Sequence, residues 1–205
     1  MYIPDYFRIE DPEAIQKIVL ENGLATLITP SPDGLQATHL PLLYEASPEG
    51  GIVNGHMARA NNHWKSLDGV SESLAIFQGP NAYVSPEWYE ESPAAPTWNF
   101  AVVHIRGVIR VIDELEWLSA HVDQLVDHHE NRTLGHPAPT DSDFKITLIG
   151  GIVGLQMTVT SIEAKFKLNQ NRSDADRLAV ADALDASGNQ NASDVGALMR
   201  EHGKG

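Results

Sequence analysis

Four segments concentrate side chains that could hold an anion or a flat ring. The first runs from His56 to Lys65, with His56, Arg59, Asn61 and Trp64 at a strand end followed by a helix start. Backbone N–H groups are free at such a junction, and Arg59 adds positive charge, a combination that suits a phosphate. The plainer reading is a solvated helix anchored by Trp64, and composition alone favours it. The second spans Phe77 to Tyr89, where Gln78 and Ser85 can hydrogen-bond a ligand and Gly79 admits a backbone at close range. A hairpin with a Gly-Pro turn explains it equally well. The third is Pro96 to Phe100, where the Trp98 ring beside Thr97 and Asn99 could hold a heteroaromatic ring, or be a buried Trp where a strand starts. The fourth, Lys165 to Arg172, packs three cations (Lys165, Lys167, Arg172) and three amides (Asn169, Gln170, Asn171) into eight residues. An anion site and a basic face that offsets the acidic one are equally good readings.

Several chemistries are excluded. The chain has no cysteine, so a disulfide, a thiolate nucleophile and a cysteine metal site are ruled out. His121, His128 and His129 share one helix without the i,i+4 spacing of a metal pair, and no His-Glu-x-x-His occurs, so no metal is expected. His39 and His104 read as histidines within strands. No nucleophile elbow, Walker loop or dinucleotide fingerprint is present, and Gly150-Gly151-x-x-Gly154 has the wrong spacing. No catalytic acid, base or nucleophile can be named.

The elements that must position these segments are mostly strands. Asp11-Pro12 opens a helix that Gly23 closes. Strands are predicted at 25–29, 37–44, 51–56, 74–78, 82–85 and 99–112, with turns at Pro30–Gly34, Pro48–Gly50 and Gly79-Pro80. Residues 57–67 are predicted as one short helix. A helix from Asp113 to about Glu130 follows, then a Pro-rich loop at His136–Pro139, a capping box at Thr140-x-x-Asp143, a strand at 153–162, and helices capped by Ser173 and Ser193. Short turns make neighbouring strands antiparallel, so the expected fold is mainly β, an antiparallel barrel with peripheral helices. Residues after Gly188 are expected to form a mobile tail.

Charge narrows the partners. The 205 residues carry 14 Lys+Arg against 28 Asp+Glu, a net charge of -14. That argues against direct DNA binding, which needs a concentrated positive surface. No signal peptide and no apolar run of membrane-spanning length is seen, so a cytoplasmic protein without membrane contact is expected.

Taken together, the segments resemble a known family. Met1-Tyr2-Ile3-Pro4, Ala37-Thr38-His39-Leu40-Pro41, Gly55-His56-Met57-Ala58-Arg59-Ala60-Asn61, Phe77-Gln78-Gly79-Pro80, Tyr83-Val84-Ser85-Pro86-x-Trp88-Tyr89, Pro96-Thr97-Trp98-Asn99 and Lys165-x-Lys167-Leu168-x-Gln170-Asn171-Arg172 resemble the PaiB family, also called FMN-binding negative transcriptional regulators. The resemblance implies an antiparallel split β-barrel of the pyridoxamine-phosphate-oxidase type over residues 1–186, with 187–205 as a C-terminal helical tail. It implies FMN as cofactor, and a homodimer with FMN at the interface. Phe166 and Phe100 stand where many relatives have Trp and Tyr. The cofactor-binding residues expected within these motifs are His56, Arg59, Asn61, Trp64, Gln78, Ser85, Thr97, Trp98, Asn99, Lys167, Gln170, Asn171 and Arg172. Three functions follow as alternatives. One is a flavin- or NAD(P)H-linked reductase acting with a small-molecule reductant or substrate. The others are a regulator acting indirectly or through a partner, and a haem-binding split barrel with His39, His56 or His104 as conceivable ligands.

Overall fold

The computed structural model describes residues 1–67, 69–91, 94–133, 135 and 142–203. The chain forms two compact units. The first comprises Met1–Asn22, Phe77–His104 and Glu163–Gly205; the second comprises Gly23–Ile76 and Ile105–Ile162. The elements are β1 (Arg8–Ile9), α1 (Pro12–Glu21), β2 (Leu24–Ser31), β3 (Gly34–Glu45), β4 (Ile52–Ala58), β5 (Glu72–Val84), β6 (Thr97–Ile112), α2 (Leu115–Thr133), α3 (Ser142–Ile149), β7 (Ile152–Lys167), α4 (Asp174–Ala186) and α5 (Gln190–Glu201). The strands form one sheet in the order β1-β7-β4-β3-β2-β5-β6, and a further β6–β7 pairing brings that order back on itself. The registered pairs are antiparallel, as the short connections require.

Helix α1 starts where the sequence places it, with Asp11 accepting from the Glu13 N–H at 3.0 Å and Pro12 in the first turn. Strands run longer than hydropathy indicates. The turn expected at 30–34 is tighter, because Pro30 and Ser31 still pair with Leu35 and Gly34. Gly34 carries a φ of 112°, which only glycine adopts without strain.

The two short strands expected around Gly79-Pro80 are one strand, β5. Its buried residues are Ser73, Ala75, Phe77 and Gly79, then Ala82 and Val84, so the alternation slips by one residue at Pro80-Asn81. Such a slip is how a strand absorbs a proline that cannot donate to the ladder.

Residues 57–67 are not one helix. β4 continues to Ala58, and a single 3-10 turn follows at Asn62–Ser66. α2 begins at Leu115, two residues after Asp113. β7 extends to Lys167, so Lys165 and Lys167 belong to a strand and not to a loop. Ser173 caps α4, accepting from Asp176 N at 3.3 Å. The cap of α5 is Asn189, not Ser193, so the residues after Gly188 expected as a mobile tail form a helix instead, with Val195, Leu198 and Met199 buried. The loop expected at His136–Pro139 and the cap at Thr140 lie outside the described residues.

β6 shows the most regular alternation, burying Asn99, Ala101, Val103, Ile105, Gly107 and Ile109. At Gly107 a Cβ would collide with the Thr158 carbonyl oxygen of β7 and crowd the Met157 side chain. Gly107→Ala is therefore expected to lower unfolding stability by roughly 1–3 kcal/mol, the usual cost of overpacking. Denaturant titration of wild type and variant measures it; an unchanged midpoint contradicts the close approach.

Candidate functional site

The expected site residues divide between the two units. His56, Arg59, Asn61 and Trp64 fall in the second unit, and Gln78, Ser85, Thr97, Trp98, Asn99, Lys167, Gln170, Asn171 and Arg172 in the first.

In the second unit, β4 delivers His56 toward α2 and away from the turn that follows. His56 Nδ1 lies 3.2 Å from His121 Nε2, and the His121 ring stacks on Trp117 with centroids 5.1 Å apart. Burial pushes both imidazoles toward neutrality. For His121 the value falls to about 4, through desolvation first and the neighbouring His56 second, against a smaller upward pull from Glu45.

Arg59 is already committed. Its guanidinium pairs with Asp113 and donates to the carbonyls of Ile152 at 2.9 Å and Gly150 at 3.4 Å. Trp64 Nε1 donates to the Arg59 carbonyl at 3.0 Å. Asn61 caps the 3-10 turn by accepting from His63 N at 3.0 Å, and its amide nitrogen donates to Thr38 Oγ1 at 3.2 Å. Thr38 Oγ1 in turn lies 2.7 Å from Nδ1 of His63. His63 is 3% exposed and its Nε2 has no partner, so burial lowers its pKa. Thr38, His63 and Asp113 complete this polar group.

In the first unit, the outward face of β5 and β6 meets the end of β7. Trp98 is 51% exposed, donates from Nε1 to Asn81 Oδ1 at 3.2 Å, and stands edge-on to Tyr83. Gln78, Trp98, Phe100 and Val102 line a cavity of about 220 Å³. Lys167 donates to Thr97 Oγ1 and to the Trp98 carbonyl. Lys165 lies over the Phe100 ring at 5.5 Å and donates to the Tyr2 carbonyl at 3.1 Å. Among the described residues neither lysine has a carboxylate partner. Burial and then Lys165 lower the Lys167 pKa. Arg172 lies over the Tyr89 ring at 5.2 Å, and Asn171 is exposed.

Three expected residues serve the chain itself. Gln170 is buried, accepts from Leu168 N at 2.8 Å and donates to Phe166 O at 2.7 Å. Asn99 is fully buried, with Nδ2 at 3.5 Å from Met199 Sδ. Ser85 caps the 3-10 turn Pro86–Trp88, accepting from Glu87 N at 3.2 Å. Lys165, Tyr83 and Phe100 were not among the expected site residues. The signal for Lys165 was its two-residue spacing from Lys167, which puts both on one face once the strand runs that far.

An antiparallel sheet of this order, joined back on itself by the β6–β7 pairing and accompanied by helices, is that of a split-barrel protein. Residues 1–161 match the family described as "Putative FMN-binding domain", and the chain belongs to that family, whose cofactor is FMN. It is 35% identical over 98% of its length to the protease synthase and sporulation protein PAI 2 of Bacillus subtilis (strain 168), covering 97% of that protein. Two solved structures share the fold at low identity. One is the FAD and heme binding protein of Mycobacterium smegmatis: 14% identity, TM-score 0.60, 89% of this chain and 80% of that one. The other is the flavocytochrome Anf3 of Azotobacter vinelandii: 15% identity, TM-score 0.59, 80% of this chain and 72% of that one. Among the described residues no helix is long and apolar enough to cross a membrane, and no cluster of three metal-ligating side chains occurs.

The His56–His121 pair yields a pH prediction. Between about pH 4 and pH 6.5 the unfolded chain protonates His121 while the folded chain does not. Stability therefore falls as pH drops through that window, by about 3 kcal/mol for this group, and is unaffected by it at pH 7. His121→Leu should flatten the pH dependence of unfolding free energy between pH 4 and 6.5. Equal slopes for wild type and variant would refute the buried neutral histidine.

Proposed function

We propose that the chain is a flavoprotein whose FMN lies on the outward face of β5, β6 and β7 in the first unit. The observation that carries this is the pair Lys165 and Lys167, two ammonium groups without a carboxylate partner among the described residues, in a chain of net charge -14 and beside a ring-lined cavity. Lys165, Lys167 and Arg172 supply charge for the phosphate. Trp98 and Phe100 offer ring faces, and Gln78 offers an amide to a ring edge. Arg59 is the second candidate for the phosphate and would have to share its charge with Asp113. Asn61, His63 and Thr38 form a polar group beside it.

FMN, when bound, supplies the electron transfer itself, so the chain needs no acid, base or thiol of its own. Its residues hold the phosphate, orient the ring and exclude water. This favours a flavin- or NAD(P)H-linked reductase of small molecules. The assembly proposed is a homodimer in which a second copy covers the flavin. The exposed rings of Trp98 and Tyr83, with the partly buried Phe100 and Val102 beside them, form an apolar face that a second copy would cover. A cytoplasmic location suits both readings. The second reading is regulation through a protein or metabolite partner, which accords with the Bacillus relative being named for protease synthase and sporulation. The -14 charge argues against direct DNA contact.

Flavin titration tests the site. FMN should bind at least about tenfold more tightly than riboflavin, the worth of one or two charge-assisted bonds. Lys167→Met should remove most of that difference while riboflavin affinity changes little. Equal affinity of the wild type for FMN and riboflavin would overturn the phosphate assignment, and a Soret band in place of flavin absorption would replace FMN with haem. Light scattering should give twice the 22.4 kDa chain mass with FMN bound. A monomer at micromolar concentration would contradict the dimer.

A further inference from the structure

Three aromatic rings and three carboxamides surround a larger cavity of about 380 Å³ in the first unit, room enough for a one- or two-ring compound. Tyr83 on β5, Trp88 in the 3-10 turn and Trp98 on β6 supply the rings, and Asn81, Asn189 and Asn191 supply the amides. Part of this polar set fixes the wall. Asn191 clasps the Asn81 backbone, donating to its carbonyl at 2.6 Å and accepting from its N–H at 3.3 Å. Asn189 Oδ1 caps α5, accepting from Ala192 N at 3.2 Å.

What remains is a set of donors. The Trp88 indole N–H, the Tyr83 hydroxyl and the Asn189 amide nitrogen have no partner among the described residues. Two of the three can only donate. No lysine, arginine, aspartate or glutamate lines the cavity. An anionic ligand would find no countercharge there and would meet the field of an acidic protein, and a cationic ligand would find no carboxylate. Flat π faces fit the rings, and acceptor oxygens fit the free donors.

We propose that this cavity binds an uncharged, planar ring compound carrying carbonyl oxygens, the quinone class being its simplest member. The site stands on its own lining and does not require the flavin. It shares Trp98 and Asn81 with the smaller cavity, so those two residues are left unchanged in the test.

The probe is 2-methyl-1,4-naphthoquinone in equilibrium dialysis against the purified chain, with and without FMN. The absence of cysteine removes the usual thiol adduct as a confounding reaction. Saturable binding is expected, and 1,4-naphthoquinone-2-sulfonate, which adds one negative charge, should bind at least tenfold more weakly. Trp88→Phe keeps a ring and removes the N–H. Asn189→Asp keeps the capping oxygen and removes the donor. Each should weaken quinone binding about tenfold, the worth of one hydrogen bond left unmade, with FMN affinity unchanged within twofold. Tyr83→Phe, read on quinone binding alone, takes the place of either variant that fails to fold. Absent saturation, or wild-type affinity in all folded variants, or tighter binding of the sulfonate, overturns the proposal. FMN titration of the same preparations is read separately, so loss of flavin binding with quinone binding intact sinks only the flavin assignment.

Discussion

The two-residue alternation of the long strands is the constraint on which the site depends. Along β6, burying Asn99, Ala101 and Val103 leaves Trp98, Phe100 and Val102 no direction but outward. β7 reaches the same end through a phase slip. It buries Val153, Leu155, Met157 and Val159, then Ala164 and Phe166. The extra residue between Val159 and Ala164 turns Phe166 into the core and Lys165 and Lys167 outward. Without the slip both ammonium groups would be buried unpaired, at a cost of several kcal/mol each. The slip in β5 at Pro80-Asn81 does the corresponding work for Tyr83.

These slips also explain what could be read from the residues and what could not. The antiparallel pairing of strands joined by short turns, the helix opened by Asp11-Pro12 and the cap at Ser173 were legible because each rests on local chemistry: a turn, a side-chain oxygen, a fixed φ. Gly79-Pro80 was misread as a break because proline usually ends a strand, and only pairing across the sheet reveals that the strand continues. β7 was read short for another reason: its phase slip after Val159 breaks the two-residue alternation, so the residues up to Lys167 do not read as a continuation of the strand. In the matched motifs, residue type alone could not separate Gln170, which seals its own turn, from Lys167, which has no backbone partner in its own turn. An amide two and four residues from the backbone groups it satisfies looks identical in sequence to one facing a ligand. Asn189 rather than Ser193 caps α5 for a related reason: both are good caps, and packing of Val195 and Met199 sets the helix start.

Charge pairing separates the two phosphate candidates physically. Carboxylates outnumber cations two to one, and among the described residues five cations are held in ion pairs: Lys17 by Glu201, Arg59 by Asp113, Lys145 by Asp123, Arg177 by Asp174, Arg200 by Asp182 and Asp185. Lys165 and Lys167 stand outside that pattern, side by side, each held by neutral oxygens or a ring. Two like charges at that spacing repel, which is part of why the Lys167 pKa is lowered. A phosphate dianion reverses both the repulsion and the burial penalty at once. Protonation of Lys167 and binding of a phosphorylated ligand are therefore linked: the anion favours the charged form that burial disfavours, and that charge holds the anion. Arg59, always charged and already neutralised by Asp113, has no such linkage to offer.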